Sequence, residues 1–164
     1  MKPDGAWPHP LLSALLAVAW LLLQQSLAPP QLITAAVLGW GLPRLLHGFL
    51  GPATRVHAWG TALRLGGVVL WDIVVSNFTV ARLVLSPAAR PQPAWVVVPL
   101  DIHHPVAISL FATIITTTPG TVSCDIDEAA RQILVHALDC DDPLAAADQM
   151  KQRYERPLKE IIAP

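Results

Sequence analysis

Hydrophobic positions along the chain form three long runs and then give way to short alternating stretches, and this change of period divides the sequence. The first run, Leu11 to Ala28, reads LLSALLAVAWLLLQQSLA and has no charged side chain. As a helix it would rise roughly 27 Å at about 1.5 Å per residue, close to a hydrocarbon core of about 30 Å. A cleaved signal peptide would also place Lys2 before an apolar run and small residues at Ser26-Leu27-Ala28. The segment is expected to be retained as an anchor. Pro29-Pro30 breaks it, and a second apolar run, Gln31 to Leu50, follows at once. The polar, uncharged connection Gln24–Gln31 suits a tight turn at one membrane face, so the two runs predict a spanning helical hairpin. Arg44 sits near the end of the second run, where it can snorkel to the interface.

The third run, Thr54 to Leu85, is amphipathic. On a helix, His57, Thr61, Arg64, Asp72, Ser76, Thr79 and Arg82 fall on one stripe, while Leu63, Leu70, Ile73, Val74, Asn77, Val80 and Val84 lie elsewhere. Insertion energy does not decide whether it spans. The apolar residues between Arg64 and Arg82 favour insertion by about 3 to 5 kcal/mol, and Asp72 alone costs about 2.5 to 3.5 kcal/mol. Charge placement decides instead. Arg44 and Arg55 precede the helix while Arg82 and Arg90 follow it, so both flanks read as cytoplasmic. A helix in the interface plane, or packed sideways on partner helices, satisfies both ends.

The prolines of SPAARPQP (86–93) mark a linker. Beyond it, Trp95 to Ile102 has strand composition, with Val96, Val98, Leu100 and Ile102 on one face. Pro105 opens a helix to about Thr117, too short to span. Thr118-Pro119-Gly120-Thr121 fits a type II turn. Val122, Cys124 and Ile126 alternate with polar residues and predict a half-buried strand, which pairs through Glu128–Arg131 with a second strand, Gln132 to Asp139. Asp142-Pro143 caps a final helix whose inner face is Leu144, Ala147, Met150, Tyr154, Leu158 and Ile161. Glu155–Lys159 and Arg156–Glu160 are expected as i, i+4 pairs on its outer face.

The organisation is therefore a transmembrane hairpin (1–52), an amphipathic interfacial or lateral helix (53–85), the linker (86–93) and a small α+β domain (94–164). The order β-α-β-β-α gives that domain a ferredoxin-like, two-layer character.

Composition agrees. Hydrophobic residues make up 53% and charged residues 14%, with a mean hydropathy of +0.47, against a usual charged share of about 25%. No Asp, Glu, Lys or Arg occurs from Gly5 to Pro43, and all acidic residues except Asp4 and Asp72 stand from Asp101 onward. A net charge of −1 gives no global pull toward nucleic acid or anionic lipid, and Lys151, Arg153, Arg156 and Lys159 alternate with acids as a solvated face.

Candidate chemistry is sparse. Asp72 in an apolar helix is a candidate for proton transfer, but a relay needs several titratable groups in reach, and the hairpin supplies none. Pairing with an arginine, in this chain or a neighbour, is the plainer reading. His103 and His104, adjacent on a strand, would point to opposite faces and cannot chelate one metal together. His136 reads as a packing or surface residue. Cys124 and Cys140 lack metal-ligand spacing and are expected as free thiols in a reducing compartment. No phosphate loop, GxSxG elbow or HExxH motif occurs, so neither cofactor nor enzymatic activity is expected.

The stretch from Asp72 to Arg82 (DIVVSNFTVAR), Val98-Pro99-Leu100, Thr116 to Asp127 (TTTPGTVSCDID), Leu134 to Asp139 (LVHALD) and Tyr154-Glu155-Arg156-Pro157-Leu158 together resemble the E-type subunit of the Mrp-type sodium/proton antiporters, also called Mnh or Pha. The resemblance implies an accessory, non-catalytic subunit of a multisubunit cation/proton antiporter in the plasma membrane. It would be multi-pass, with a cytoplasmic C-terminal domain, and its partners would be the other subunits and the bilayer. Arg64, Asp72, Ser76, Asn77 and Arg82 are then the candidate subunit-interface residues. Two competing classes are a membrane-anchored regulatory or ligand-binding module and a membrane-tethered enzyme.

Overall fold

The computed structural model describes residues 9–46, 48–49 and 56–162. Lys2, Thr54 and Arg55, which enter the anchor and charge arguments, lie outside them. The chain divides into two compact units, Met1–Arg55 and Val56–Pro164.

In the first unit, helices α1 (Pro10–Gln24) and α2 (Pro29–Leu45) pack side by side. Gln25 adopts a left-handed conformation (φ 48°) and ends α1, four residues before the expected end of the run. Pro29 and Pro30 open α2, where their missing N–H groups cost nothing. The Trp20 indole Nε1–H donates to Gln31 Oε1 at 3.1 Å across the connection. Gly39 is buried against Ser13, and a Cβ there would stand 2.7 Å from the Ser13 carbonyl oxygen. With 15 and 17 residues, these helices are shorter than the expected runs.

The second unit begins with α3 (Trp59–Leu85), the one described helix long and apolar enough to cross a membrane by length and composition. After it come β1 (Ala94–Pro99), α4 (Pro105–Thr117), β2 (Thr121–Asp127), β3 (Gln132–Ala137) and a final helical segment. That segment is α5 (Pro143–Met150), a π turn (Lys151–Glu155) and α6 (Arg156–Ile161). The sheet is antiparallel in the order β1-β3-β2. Val96, Val98, Leu100, Ile102, Ile133 and Val135 face a core completed by Phe111 and Ile115 of α4, Leu158 of α6 and Leu65 of α3.

The expected inner face of β1 is buried, although pairing stops at Pro99 and Leu100 and Ile102 reach the core from the following loop. α4 has its expected bounds, with His104 Nδ1 capping it by accepting from the Val106 N–H at 3.3 Å. Gly120 supplies the positive φ of the turn, 93°.

β2 is inverted relative to expectation. Val122, Cys124 and Ile126 are exposed, and Thr121 and Ser123 turn inward. The reason is local chemistry. The Thr121 hydroxyl donates to the Ile115 carbonyl at 2.7 Å, and the Ser123 hydroxyl donates to that of Ala112 at 3.1 Å. The Ile115 carbonyl is among the last four of α4, which lie beyond the regular helical ladder. A bulge at Cys124 then shifts the register, so that Ser123 faces Val135 and Asp125 faces Leu134. Both cysteines are free.

The final helix also departs from a simple 3.6-residue period. Ala147, Tyr154, Leu158 and Ile161 are buried as expected, while Leu144 is exposed. The Arg156 N–H donates to the Lys151 carbonyl, five residues back. Pro157 explains this: it has no N–H to offer the Arg153 carbonyl, and its ring would clash with that carbonyl in a regular helix. The wider turn places Glu155 inside, away from its expected partnership with Lys159.

Candidate functional site

The polar cluster at the centre of the second unit is built from mid-α3 and the π turn. Asp72, 9% exposed, accepts from Arg153 Nε at 2.6 Å through Oδ2 and from Arg153 Nη2 at 2.5 Å through Oδ1. The Tyr154 hydroxyl donates to Asp72 Oδ2 at 2.8 Å. A fork of two parallel N–H···O bonds fixes direction as well as charge. Burial, together with the Asp72 carboxylate beside it, pushes the Tyr154 phenol up. The phenol therefore remains a neutral donor at physiological pH. A cavity of about 440 Å³ adjoins the cluster, lined by Trp71, Ser76, Ile115, Cys140 and Met150 among others.

One residue on, Glu155 is 2% exposed and fully partnered. Its Oε1 accepts from the backbone N–H groups of Asp101 at 2.6 Å and Ile102 at 3.0 Å, and Lys151 Nζ lies 2.9 Å from Oε2. Lys151 also pairs with Asp101 at 2.9 Å. This clamp ties the loop after β1 to the final helix. Burial disfavours the charged Lys151, but its hydrogen bonds to Glu155 and Asp101 prevail and raise its pKa. The hydrogen bond from Lys151 holds the Asp101 carboxyl below its usual range.

Of the five candidate interface residues, Asp72 is buried and Ser76 half-buried on the side of α3 that faces the α/β layers. Arg64, Asn77 and Arg82 are exposed. The opposite side of α3 shows Trp59, Leu63, Leu70, Val74, Phe78 and Leu85 to the outside. His103 meets the Arg131 guanidinium, and the His136 ring stands edge-on to Trp95 at 5.0 Å between centroids. No group of three metal-binding side chains occurs among the described residues.

Arg153, Tyr154 and Glu155 as neighbours in one polar cluster were not legible from helical periodicity. The signal was Pro157, whose position in an otherwise continuous helix predicts a local irregularity upstream.

Chemically, the cluster joins a helix to a domain. Its carboxylate is already engaged by a guanidinium and a phenol of the same chain.

Residues 13–161 match the family model described as "Na+/H+ ion antiporter subunit". The chain is similar to the E-type subunit of a probable K(+)/H(+) antiporter of Rhizobium meliloti, 32% identical over 160 residues covering 95% of this chain and 97% of that one. It is also similar to the E-type subunit of the Na(+)/H(+) antiporter of Alkalihalophilus pseudofirmus, 27% identical over 92% of this chain and 96% of the relative. Among solved structures, a chain of the archaeal membrane-bound sulfane sulfur reductase shares the fold. Its TM-score is 0.74 at 24% identity, over 92% of this chain and 96% of the other.

Proposed function

Since the chain belongs to the Na+/H+ ion antiporter subunit family, we propose that within such a complex it is an accessory, non-catalytic subunit that supports assembly and stability. The observation that carries this reading is the closed state of Asp72. A carboxylate held at two points by Arg153 and at a third by Tyr154 is suited to structure, because a proton carrier must exchange partners. Relatives named for potassium and for sodium support a role that does not select the cation.

The arrangement in the membrane is part of the same reading. α1 and α2 form the spanning hairpin, and α3 lies laterally with its outer apolar face toward lipid or partner helices. The ferredoxin-like domain and both termini stand in the cytoplasm of a plasma-membrane complex. The packing of α3 supports this placement: from Leu65 to Ser76 its inner side rests on a domain bearing Arg153, Arg156 and Glu160. A helix so engaged could not cross the hydrocarbon without bringing those charges along.

Gentle detergent extraction with a tag on this chain tests subunit membership. Co-purification of the large antiporter subunits is expected, and their absence from the purified material would count against it. Single cysteines at Gln25 and Gln92, with the native pair removed, test the topology. External labelling by an impermeant reagent is expected at Gln25 only.

A further inference from the structure

We propose that the groove between α3 and α6 holds the phosphate of an anionic phospholipid headgroup. Its lining brings Arg64 of α3 together with Arg153 and Arg156, with Thr61, Gln152 and Glu160 as the other polar groups, around about 440 Å³. That volume lies within the usual range for small-molecule sites. Arg153 is neutralised by Asp72. Arg64 and Arg156 form no ion pair among the described residues, and Glu160 is the one carboxylate in the lining. Two guanidiniums without counter-ions facing one groove have the geometry that phosphate oxygens complete.

Two further features point to a lipid as the source. Gly60 and Gly67 flank Arg64 one turn to either side, and a Cβ at either would meet nothing within 4 Å. The helix beside Arg64 is therefore bare, with room for a headgroup to reach the backbone. Next to this flank begins the outer apolar face, with Leu63 77% and Leu70 65% exposed. A cationic groove bordering an apolar stripe matches an amphiphile, with the phosphate in the groove and the chains along Leu63 and Leu70. The inference rests on α3 lying against the bilayer.

The test is native mass spectrometry of the full chain released from micelles doped with phosphatidylglycerol or phosphatidylcholine, with soluble glycerol phosphate as a third arm. Retention of phosphatidylglycerol over phosphatidylcholine is expected, falling by about fivefold for each of Arg64→Gln and Arg156→Gln. Gly67→Leu, which removes no charge, should lower it as well. Equal retention of the two lipids, or phosphatidylglycerol retention unchanged in the double arginine variant, overturns the proposal. Glycerol phosphate binding as strongly as the lipid would make this a free-anion site and overturns the lipid assignment. A nitroxide at Leu63→Cys, read by its accessibility to oxygen in bilayers, separates the underlying reading. High accessibility without lipid preference leaves the lateral helix standing and removes the headgroup site, whereas low accessibility removes the lateral helix itself.

Discussion

Asp72 and Arg153 stand 81 residues apart in sequence and close a two-point ion pair, with Arg153 Nε 2.6 Å from Asp72 Oδ2. The carboxylate in the middle of α3, the longest described helix, thus finds its counter-ion in the same chain. The pair, with the Tyr154 hydroxyl, fixes α3 to the α/β layers at a defined rotation. That rotation puts Leu63, Leu70 and Phe78 outside and Leu65 inside.

Glu155→Gln should destabilise the domain. The carboxylate accepts two backbone N–H groups and a lysine inside the structure, and the amide keeps the shape but removes the charge. A loss of about 1–3 kcal/mol is expected, since hydrogen bonds to a buried charge are among the stronger ones. Denaturant unfolding of the full chain, followed by tryptophan fluorescence, measures it. Glu160→Gln on the exposed side should change little.

The Asp101–Lys151 pair makes stability depend on pH at both extremes. Asp101 is depressed by Lys151, so its contribution is complete above the unfolded value of about 3.9 and is lost as pH falls through its lower folded value. Lys151 is raised, so its contribution is complete below about 10.4 and is lost as pH rises through its higher folded value. Asp101 is 61% exposed, so solvent screens the pair and the effect is small. Asp101→Asn should flatten the acid limb of a thermal-stability profile measured from pH 2 to pH 6.

Gly39→Val should separate α1 from α2. Its Cβ would press on the Ser13 carbonyl oxygen, a backbone atom that can move only with its helix. The expected cost is of the order of 1–3 kcal/mol, typical of overpacking. Gly41, where a Cβ meets nothing within 4 Å, is the control position. Cross-linking between cysteines introduced at Leu16 and Leu38, which stand on the two helices, should weaken in the Gly39 variant alone.

Much of the second unit was legible because apolar period and turn chemistry agreed. Val96, Val98, Leu100 and Ile102 lie on one inner face, Pro105 opens α4, and Gly120 turns the chain into β2. β2 itself misled because its inward positions are hydroxyls. Thr121 and Ser123 are held by carbonyls of α4, so an apolar alternation ended on the solvent side. The clamp at Glu155 was hidden by the π turn, which advances the helix by one residue and turns an apparent surface acid inward. The stripe on α3 was legible in part: Asp72 and Ser76 face inward, while Arg64 and Arg82 stay outside.

The role of Asp72 separates an assembly subunit from an ion conductor, and sodium-driven proton flux in vesicles, normalised to assembled complex, measures it. In Asp72→Asn the guanidinium of Arg153 loses its counter-charge and α3 loses an anchor of about 1–3 kcal/mol. The yield of assembled complex should fall, while each surviving complex keeps its turnover. Loss of flux per complex at unchanged yield would contradict the assembly role and make Asp72 part of the conducting path.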